Sequence, residues 1–142
     1  MNSVFSLIYF QDFAIKHVIS KGAPADKVLL GLSFYGQTFQ IRNSRENTPG
    51  SPAVGSGSPG EITKQPGMLA YYEICDRVKN LRWQTGMQNG AGPYAFNGDQ
   101  WVGYEDATSI TEKVKYAMQQ GLRGVLAWTI DLDDFNNVCC NE

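Results

Sequence analysis

An apolar run that ends in acidic residues, at positions 124–135, constrains the fold of this chain most strongly. It reads GVLAWTIDLDDF, and Gly121 precedes it. A short apolar run bounded by turn residues predicts a strand that is buried on both faces, as in a parallel sheet. The acids that follow Trp128 predict that this strand runs out of the core toward a polar site.

A second apolar run at residues 28–34 predicts a second buried strand, and a helix is predicted before each strand. Apolar positions at helical spacing place the first helix over residues 10–21, and Gly22 ends it. The second helix begins with a capping box in which Ser109 is followed by Glu112. These four elements predict an α-β-α-β order with two parallel strands.

The segment between the two predicted helix–strand units is irregular in composition. Residues 43–67 are rich in Ser, Gly, Pro and Asn, which predicts a long loop or an inserted unit. Helical spacing returns at residues 68–81, and residues 86–92 are rich in turn residues. The dipeptide Asn97-Gly98 separates two aromatic-rich runs and predicts a tight hairpin.

Composition and charge exclude several kinds of partner. The chain has 142 residues, which suits one domain, and its net charge is −2. Such a charge provides no field that would attract nucleic acid or an anionic membrane, and no apolar stretch is long enough to span a bilayer. With a single His and no C-x-x-C motif, no metal site and no cofactor are expected. The apolar residues 4–10 lack the basic start and the small-residue cleavage site of a signal peptide.

Three cysteines are too few for a disulfide scaffold. Cys139 and Cys140 are adjacent and cannot readily bond to each other, so one of them can pair with Cys75. The spacing alone leaves open which one does.

Four motifs occur in a fixed order along the chain: GLSFYG at residues 31–36, LAYYEIC at 69–75, QWVGYED at 100–106 and WTIDLDDF at 128–135. Together they resemble the C-terminal part of the glycoside hydrolase family 18 chitinases and their chitinase-like lectin relatives, from about residue 11 to the end. Residues 1–10 do not fit the family pattern.

The resemblance implies an α/β fold, a partial (β/α)₈ TIM barrel with an inserted α+β chitinase insertion domain. Residues 28–34 would form strand seven of the barrel, and residues 123–131 would form strand eight. The barrel segment would consist of residues 1–37 and 104–142, with the insertion domain at residues 38–103.

The resemblance also implies an activity, the hydrolysis of β-1,4-linked N-acetylglucosamine polymers. Family enzymes use a substrate-assisted retaining mechanism, in which a glutamic acid of a D-x-x-D-x-D-x-E motif protonates the leaving oxygen. That motif does not occur in this sequence, so we expect a chitinase fragment without a catalytic residue and without turnover of its own. The alternatives are a non-catalytic chitin-oligosaccharide-binding protein and a truncated product that binds no ligand. Asp131 and Asp133 match acids that are structural in the family.

Six residues match positions that line the sugar groove of the family. Trp128 would be the floor of the central sugar subsite, because an indole face suits the apolar face of a pyranose. Gln37 and Gln65 replace an Arg and a Glu that are common in the family, which predicts weaker polar contacts. The full predicted set is Tyr35, Gln37, Gln65, Met68, Leu126 and Trp128.

The resemblance finally implies a disulfide between Cys75 and Cys140, an extracellular location, and chitin or a chito-oligosaccharide as partner. Because two parallel strands leave open sheet edges, we also expect the isolated chain to self-associate.

Overall fold

The structure, a computed structural model, describes residues 2–3, 7–88, 92–137 and 139. These residues form a mixed α/β fold with three helices, an antiparallel sheet of seven strands and a parallel pair of strands. In chain order, the elements are β1 (Asn2–Ser3), α1 (Leu7–Ser20), β2 (Leu29–Ser33), β3 (Tyr35–Ile41), β4 (Pro52–Ser56), β5 (Met68–Ala70), α2 (Tyr71–Lys79), β6 (Gln84–Gln88), β7 (Gly92–Asn97), β8 (Gln100–Gly103), α3 (Ala107–Gln119) and β9 (Gly124–Trp128).

The predicted α-β-α-β arrangement is confirmed. Strands β2 and β9 are parallel, with Leu29 opposite Gly124 and Ser33 opposite Trp128. Helices α1 and α3 pack on one face of this pair, where a buried cluster contains Ile15, Leu30 and Ala117.

The expectation that β9 is buried on both faces is wrong. Side chains alternate between the two faces of a strand, and α1 and α3 cover only one face of the β2–β9 pair. On the other face, Leu29 is 47% exposed, Leu126 48% and Trp128 61%. Within the described residues, the parallel pair therefore presents an apolar face to solvent.

The seven-stranded sheet has the order β1-β4-β3-β8-β7-β6, and β5 pairs separately with β3. Helix α2 covers one face of this sheet, where Leu69, Ile74, Ala95 and Val102 form a buried cluster. A second cluster contains Ile41, Ala53 and Trp101, and Phe39, Tyr94 and Phe96 pack against it.

The predictions for the middle of the chain need correction. The segment predicted as a long loop or an inserted unit contains β4, so it is not a continuous loop, and the predicted turn at residues 86–92 overlaps β6. The helix predicted from residue 68 begins only at Tyr71, because Met68–Ala70 pairs with β3. β4 and β5 both pair with β3, a partner that local composition does not reveal, whereas β6 pairs with the next strand, β7.

The hairpin prediction is confirmed, with Asn97 opposite Gln100 at its tip. Gly98 occupies the turn with a φ of +59°, which favours glycine. The predicted N-cap of α3, Ser109, lies three residues too late. Asp106 is the N-cap, and its side chain accepts a hydrogen bond from the Ser109 N–H at 2.7 Å.

The predicted disulfide between Cys75 and Cys140 is wrong, since Cys75 is bonded to Cys139. The two Cα atoms lie 5.3 Å apart, within the range of about 4.4–6.8 Å that a disulfide requires. The N–H of Cys139 donates to Oδ2 of Asp134 at 2.6 Å, which holds Cys139 in place beside α2. Cys140 lies outside the described residues.

Candidate functional site

Trp128 lies at the carboxyl end of β9 with 61% of its surface exposed. Its carbonyl accepts a hydrogen bond from the N–H of Phe34 at 3.0 Å, which fixes the end of β9 to the end of β2. The peptide bond between Trp128 and Thr129 is cis. Leu126 precedes Trp128 by two positions and therefore lies on the same face of the strand. Both side chains belong to the exposed apolar face of the parallel pair.

Tyr35 and Gln37 lie on β3, directly after the junction with β2. Tyr35 is opposite Ala70, and Gln37 is opposite Met68 on one side and Gly103 on the other. The intervening Gly36 faces α2, because a Cβ at this position would collide with side chains of the cluster under that helix. Tyr35 and Gln37 therefore face away from α2, on the same side of the sheet as Met68.

Gln65 belongs to the β4–β5 loop, which we define as residues 57–67. Its side chain is exposed, and its carbonyl accepts a hydrogen bond from the N–H of Met68 at 3.4 Å. Gln65 therefore lies just before Met68 in the chain, and Met68 lies opposite Gln37 on the neighbouring strand. Tyr35 begins β3, opposite Ala70 of β5. The preceding residue, Phe34, donates its N–H to the Trp128 carbonyl, so Tyr35 lies one residue from the point where the ends of β2 and β9 meet.

A buried glutamate that sequence reasoning missed holds the β4–β5 loop. The carboxylate of Glu73 accepts hydrogen bonds from the N–H groups of Ile62, Thr63 and Ala70 and from the Thr63 hydroxyl. Burial raises the pKa of Glu73, but these hydrogen bonds outweigh burial and leave the pKa below its ordinary value. A glutamate three residues after a helix N-cap is the sequence signal for such a contact. This signal can be recognised only if the start of α2 at Tyr71 is known.

A buried ion pair between Lys113 and Glu105 was also missed. The two side chains are 3% and 1% exposed, and the Ser109 hydroxyl donates to the second oxygen of Glu105 at 2.9 Å. Glu105 and Asp106 help to line a cavity of about 210 Å³ beside Phe34. None of the six predicted sugar-contact residues lines that cavity.

Two of the acids after β9 bind backbone groups. Oδ1 of Asp133 accepts a hydrogen bond from the N–H of Asp134 at 2.8 Å, and Asp134 in turn binds Cys139. None of the six predicted contact residues is a carboxylic acid. Their side chains include an indole, a phenol and two amides, which suit a neutral ligand, but no carboxyl group for proton transfer.

Neither a membrane span nor a metal cluster is found in the described ranges. Among residues 2–3, 7–88, 92–137 and 139, no helix combines the length and apolarity needed to cross a bilayer. Within the same part of the chain, His, Cys, Asp and Glu do not gather in groups of three or more that could hold a metal ion.

Residues 6–133 match the sequence profile of the family described as Glycosyl hydrolases family 18. The chain is 46% identical to Probable chitinase 10 of Drosophila melanogaster, across 94% of the chain and 6% of the relative. It is 42% identical to Chitinase-3-like protein 2 of Homo sapiens, across 96% of the chain and 35% of the relative. The chain thus spans about a third or less of the length of these relatives.

Solved structures show the same similarity. Catalytic domain 2 of the Ostrinia furnacalis Group II chitinase superposes with a TM-score of 0.85 at 37% identity, across 92% of this chain and 34% of that one. Human YKL-39, described as a pseudo-chitinase with retained chitooligosaccharide binding, gives a TM-score of 0.83 at 42% identity, across 92% and 35%. By sequence and by structure, the chain belongs to glycosyl hydrolase family 18.

Proposed function

We propose that this chain forms the floor and one wall of a groove that binds chito-oligosaccharides. The observation that carries the proposal is the position of Trp128, which is 61% exposed at the carboxyl end of β9. A solvated indole at the end of a parallel strand offers a flat apolar platform with little entropy to lose on binding. A pyranose ring has an apolar C–H face that such a platform fits.

The side chains around the platform suit a neutral, hydroxyl-rich ligand. Tyr35 supplies a phenol, and Gln37 and Gln65 supply amides, each of which can both donate and accept hydrogen bonds. Met68 and Leu126 add apolar contact. A charged ligand would find no opposite charge among these six residues.

We propose further that the chain is a piece of a chitinase barrel and does not hydrolyse chitin by itself. In this reading, β2 and β9 are strands seven and eight of a (β/α)₈ barrel. Residues 1–37 and 104–142 form the barrel segment, and residues 38–103 form the insertion domain. The sequence contains no D-x-x-D-x-D-x-E motif, and two of the acids that follow β9, Asp133 and Asp134, bind backbone N–H groups. An extracellular location is part of the same proposal, and the Cys75–Cys139 disulfide supports it.

The second candidate is a non-catalytic chitin-oligosaccharide-binding protein. Its support is the similarity to human YKL-39, together with the glutamines at positions 37 and 65. The two candidates differ in whether the gene also encodes the catalytic motif upstream of this segment, so the full-length transcript distinguishes them. Both candidates require oligosaccharide binding by this chain.

Titration with chitotetraose, followed by tryptophan fluorescence, tests the binding proposal. We expect saturable quenching that is lost in Trp128→Ala. Trp83→Phe is the matched control, because Trp83 stacks against Arg77 beside α2 and is no part of the predicted groove. A wild-type chain that does not respond to chitotetraose would leave the third possibility, a product that binds no ligand.

A fluorogenic chitobioside assay on the pure chain tests the absence of turnover. We expect no hydrolysis above background. Robust hydrolysis that disappears in Trp128→Ala would overturn the assignment.

A further inference from the structure

Glu73 connects the N-terminus of α2 to the β4–β5 loop. The residue is only 3% exposed. Its Oε1 accepts from the N–H groups of Ile62 at 2.8 Å and Thr63 at 3.2 Å. Its Oε2 accepts from the Thr63 hydroxyl at 2.8 Å and from the N–H of Ala70 at 3.0 Å. Three of these four donors belong to the loop, so the carboxylate does more than cap its own helix.

The loop is shaped around this carboxylate. A Cβ at Gly60 would collide with the Glu73 carboxylate, so the backbone approaches it more closely than any other residue would permit. Arg77 of α2 also binds the loop, through two hydrogen bonds of 2.9 and 3.3 Å to Glu61. Glu61 is 69% exposed, whereas Glu73 is buried, so we expect the attachment through Glu73 to be stronger than the attachment through Glu61.

The far end of the same loop carries one proposed sugar contact, Gln65, and leads into another, Met68, the first residue of β5. The N–H of Thr38 donates to the carbonyl of Gly67 at 3.0 Å, and the N–H of Gly57 donates to the carbonyl of Thr38 at 3.1 Å. The loop is thus tied to β3 at both ends and to Glu73 in the middle. Gln65 and Met68 follow directly from the part that Glu73 holds.

We propose that Glu73 is a positioning residue for the groove, whose buried carboxylate sets the conformation of the β4–β5 loop and thereby places Gln65 and Met68 against a bound chito-oligosaccharide. The proposal deepens the proposed function and rests on it. Glu73 itself lies beneath the loop and does not contact the ligand.

The first test compares Glu73→Gln with the wild type in a chitotetraose titration. The amide keeps the size of the side chain but removes the charge and replaces one acceptor oxygen with a donor. Loss of charge-assisted hydrogen bonds should weaken binding about tenfold, because the loop is then no longer held in the conformation that places Gln65 and Met68 against the ligand. Glu61→Gln is the matched control on the same loop, and it should change the affinity less than about twofold because that pair is exposed.

A double-mutant cycle separates positioning from a general loss of stability. In a Gln65→Ala/Met68→Ala background the side chains that Glu73 is proposed to place are absent. Glu73→Gln should then change the affinity less than about twofold, since coupled residues are not additive. An unchanged tenfold loss in that background would show that Glu73 acts by another route and would overturn the proposal.

Gly60→Ala provides a second variant in case Glu73→Gln folds poorly. It leaves every hydrogen-bonding group in place but forces the loop away from the carboxylate. We expect it to reproduce the loss of affinity, with faster amide exchange at Ile62 and Thr63 and unchanged exchange in the buried strands β7 and β8. Wild-type affinity in Gly60→Ala would contradict the proposal.

Amide exchange measurements distinguish a failure of the Glu73 proposal from a failure of the proposed function. If the wild-type chain does not bind chitotetraose, the proposed function fails, and the groove role of Glu73 fails with it. Faster exchange at Ile62 and Thr63 in Glu73→Gln would still show that the carboxylate holds the loop. If the wild type binds but Glu73→Gln changes neither the affinity nor the exchange, only the role of Glu73 fails.

Discussion

Cys75 on α2 is bonded to Cys139, and this bond ties the antiparallel sheet to the segment after β9 across a sequence separation of 64 residues. A crosslink over a long loop restricts the unfolded chain, and removal of such a bond costs about 2–4 kcal/mol of unfolding free energy. We therefore expect Cys139→Ser to lower the stability by about that amount in urea unfolding without reductant. Cys140→Ser is the control and should leave the stability unchanged. A Cys75–Cys140 peptide in a non-reduced digest would contradict the assignment.

The stability should depend on pH through Glu73. Its hydrogen bonds to the loop and to Ala70 outweigh the effect of burial and lower its pKa in the folded state. A lowered folded pKa stabilises the fold above the ordinary carboxyl pKa, and this contribution is lost as the pH falls through the lowered value. Urea unfolding of the wild type and Glu73→Gln should differ by about 1.5–3 kcal/mol near neutral pH. The difference should shrink as the pH falls below the ordinary carboxyl pKa and through the lowered pKa of the folded state, and a constant difference would refute the linkage.

The buried pair of Lys113 and Glu105 should behave as a unit. Lys113→Met leaves a buried carboxylate without its partner and should cost about 3–5 kcal/mol. Adding Glu105→Gln removes that charge, so the double variant should be more stable than Lys113→Met alone. Lys115→Met on the exposed side of α3 is the control, with an expected change within about 0.5 kcal/mol in thermal or urea unfolding. Equal costs for Lys113→Met and Lys115→Met would show that the pair contributes little.

The isolated chain should self-associate through β9. In the described part of the chain, β9 pairs only with β2, and an unpaired edge can accept another strand. The corresponding edge of β2 is partly occupied, because the Gln11 side chain donates to the carbonyl of Gly31 at 2.9 Å. We expect the sedimentation coefficient to rise with concentration and the rise to diminish in Val125→Lys.

Val54→Lys is the matched control for that experiment. Val54 is also exposed on a strand, but β4 has partners on both sides, so a charge there should not affect strand addition. A monomer at all concentrations would contradict the prediction, and an equal effect of Val54→Lys would point to general solubility.

Local sequence predicted the elements whose signals lie within a few residues. Helix α1 ends just before Gly22, which has a positive φ, and the hairpin turns at Gly98. The parallel pairing of β2 and β9 followed from two apolar runs that each come after a helix. These predictions succeeded because periodicity and glycine placement act over one or two turns of chain.

The middle of the chain is less predictable because β4 and β5 depend on pairing with β3. Helical spacing predicts a helix at residues 68–70, but Met68 lies opposite Gln37 and this segment is a strand. The start of α3 was misplaced because Asp106 and Ser109 are both good capping residues, and the hydrogen bonds between them decide which one is the N-cap.

The order of helices and parallel strands and the membership of the family can be read from the amino-acid sequence, because both depend on the order of residues along the chain. Three features are evident only in the folded molecule: Cys75 pairs with Cys139 rather than Cys140, Glu73 holds the β4–β5 loop, and Trp128 is exposed. Each of these depends on which residues meet across long stretches of chain. Such long-range contacts are determined by packing and hydrogen bonding in the whole fold, and no local pattern encodes them.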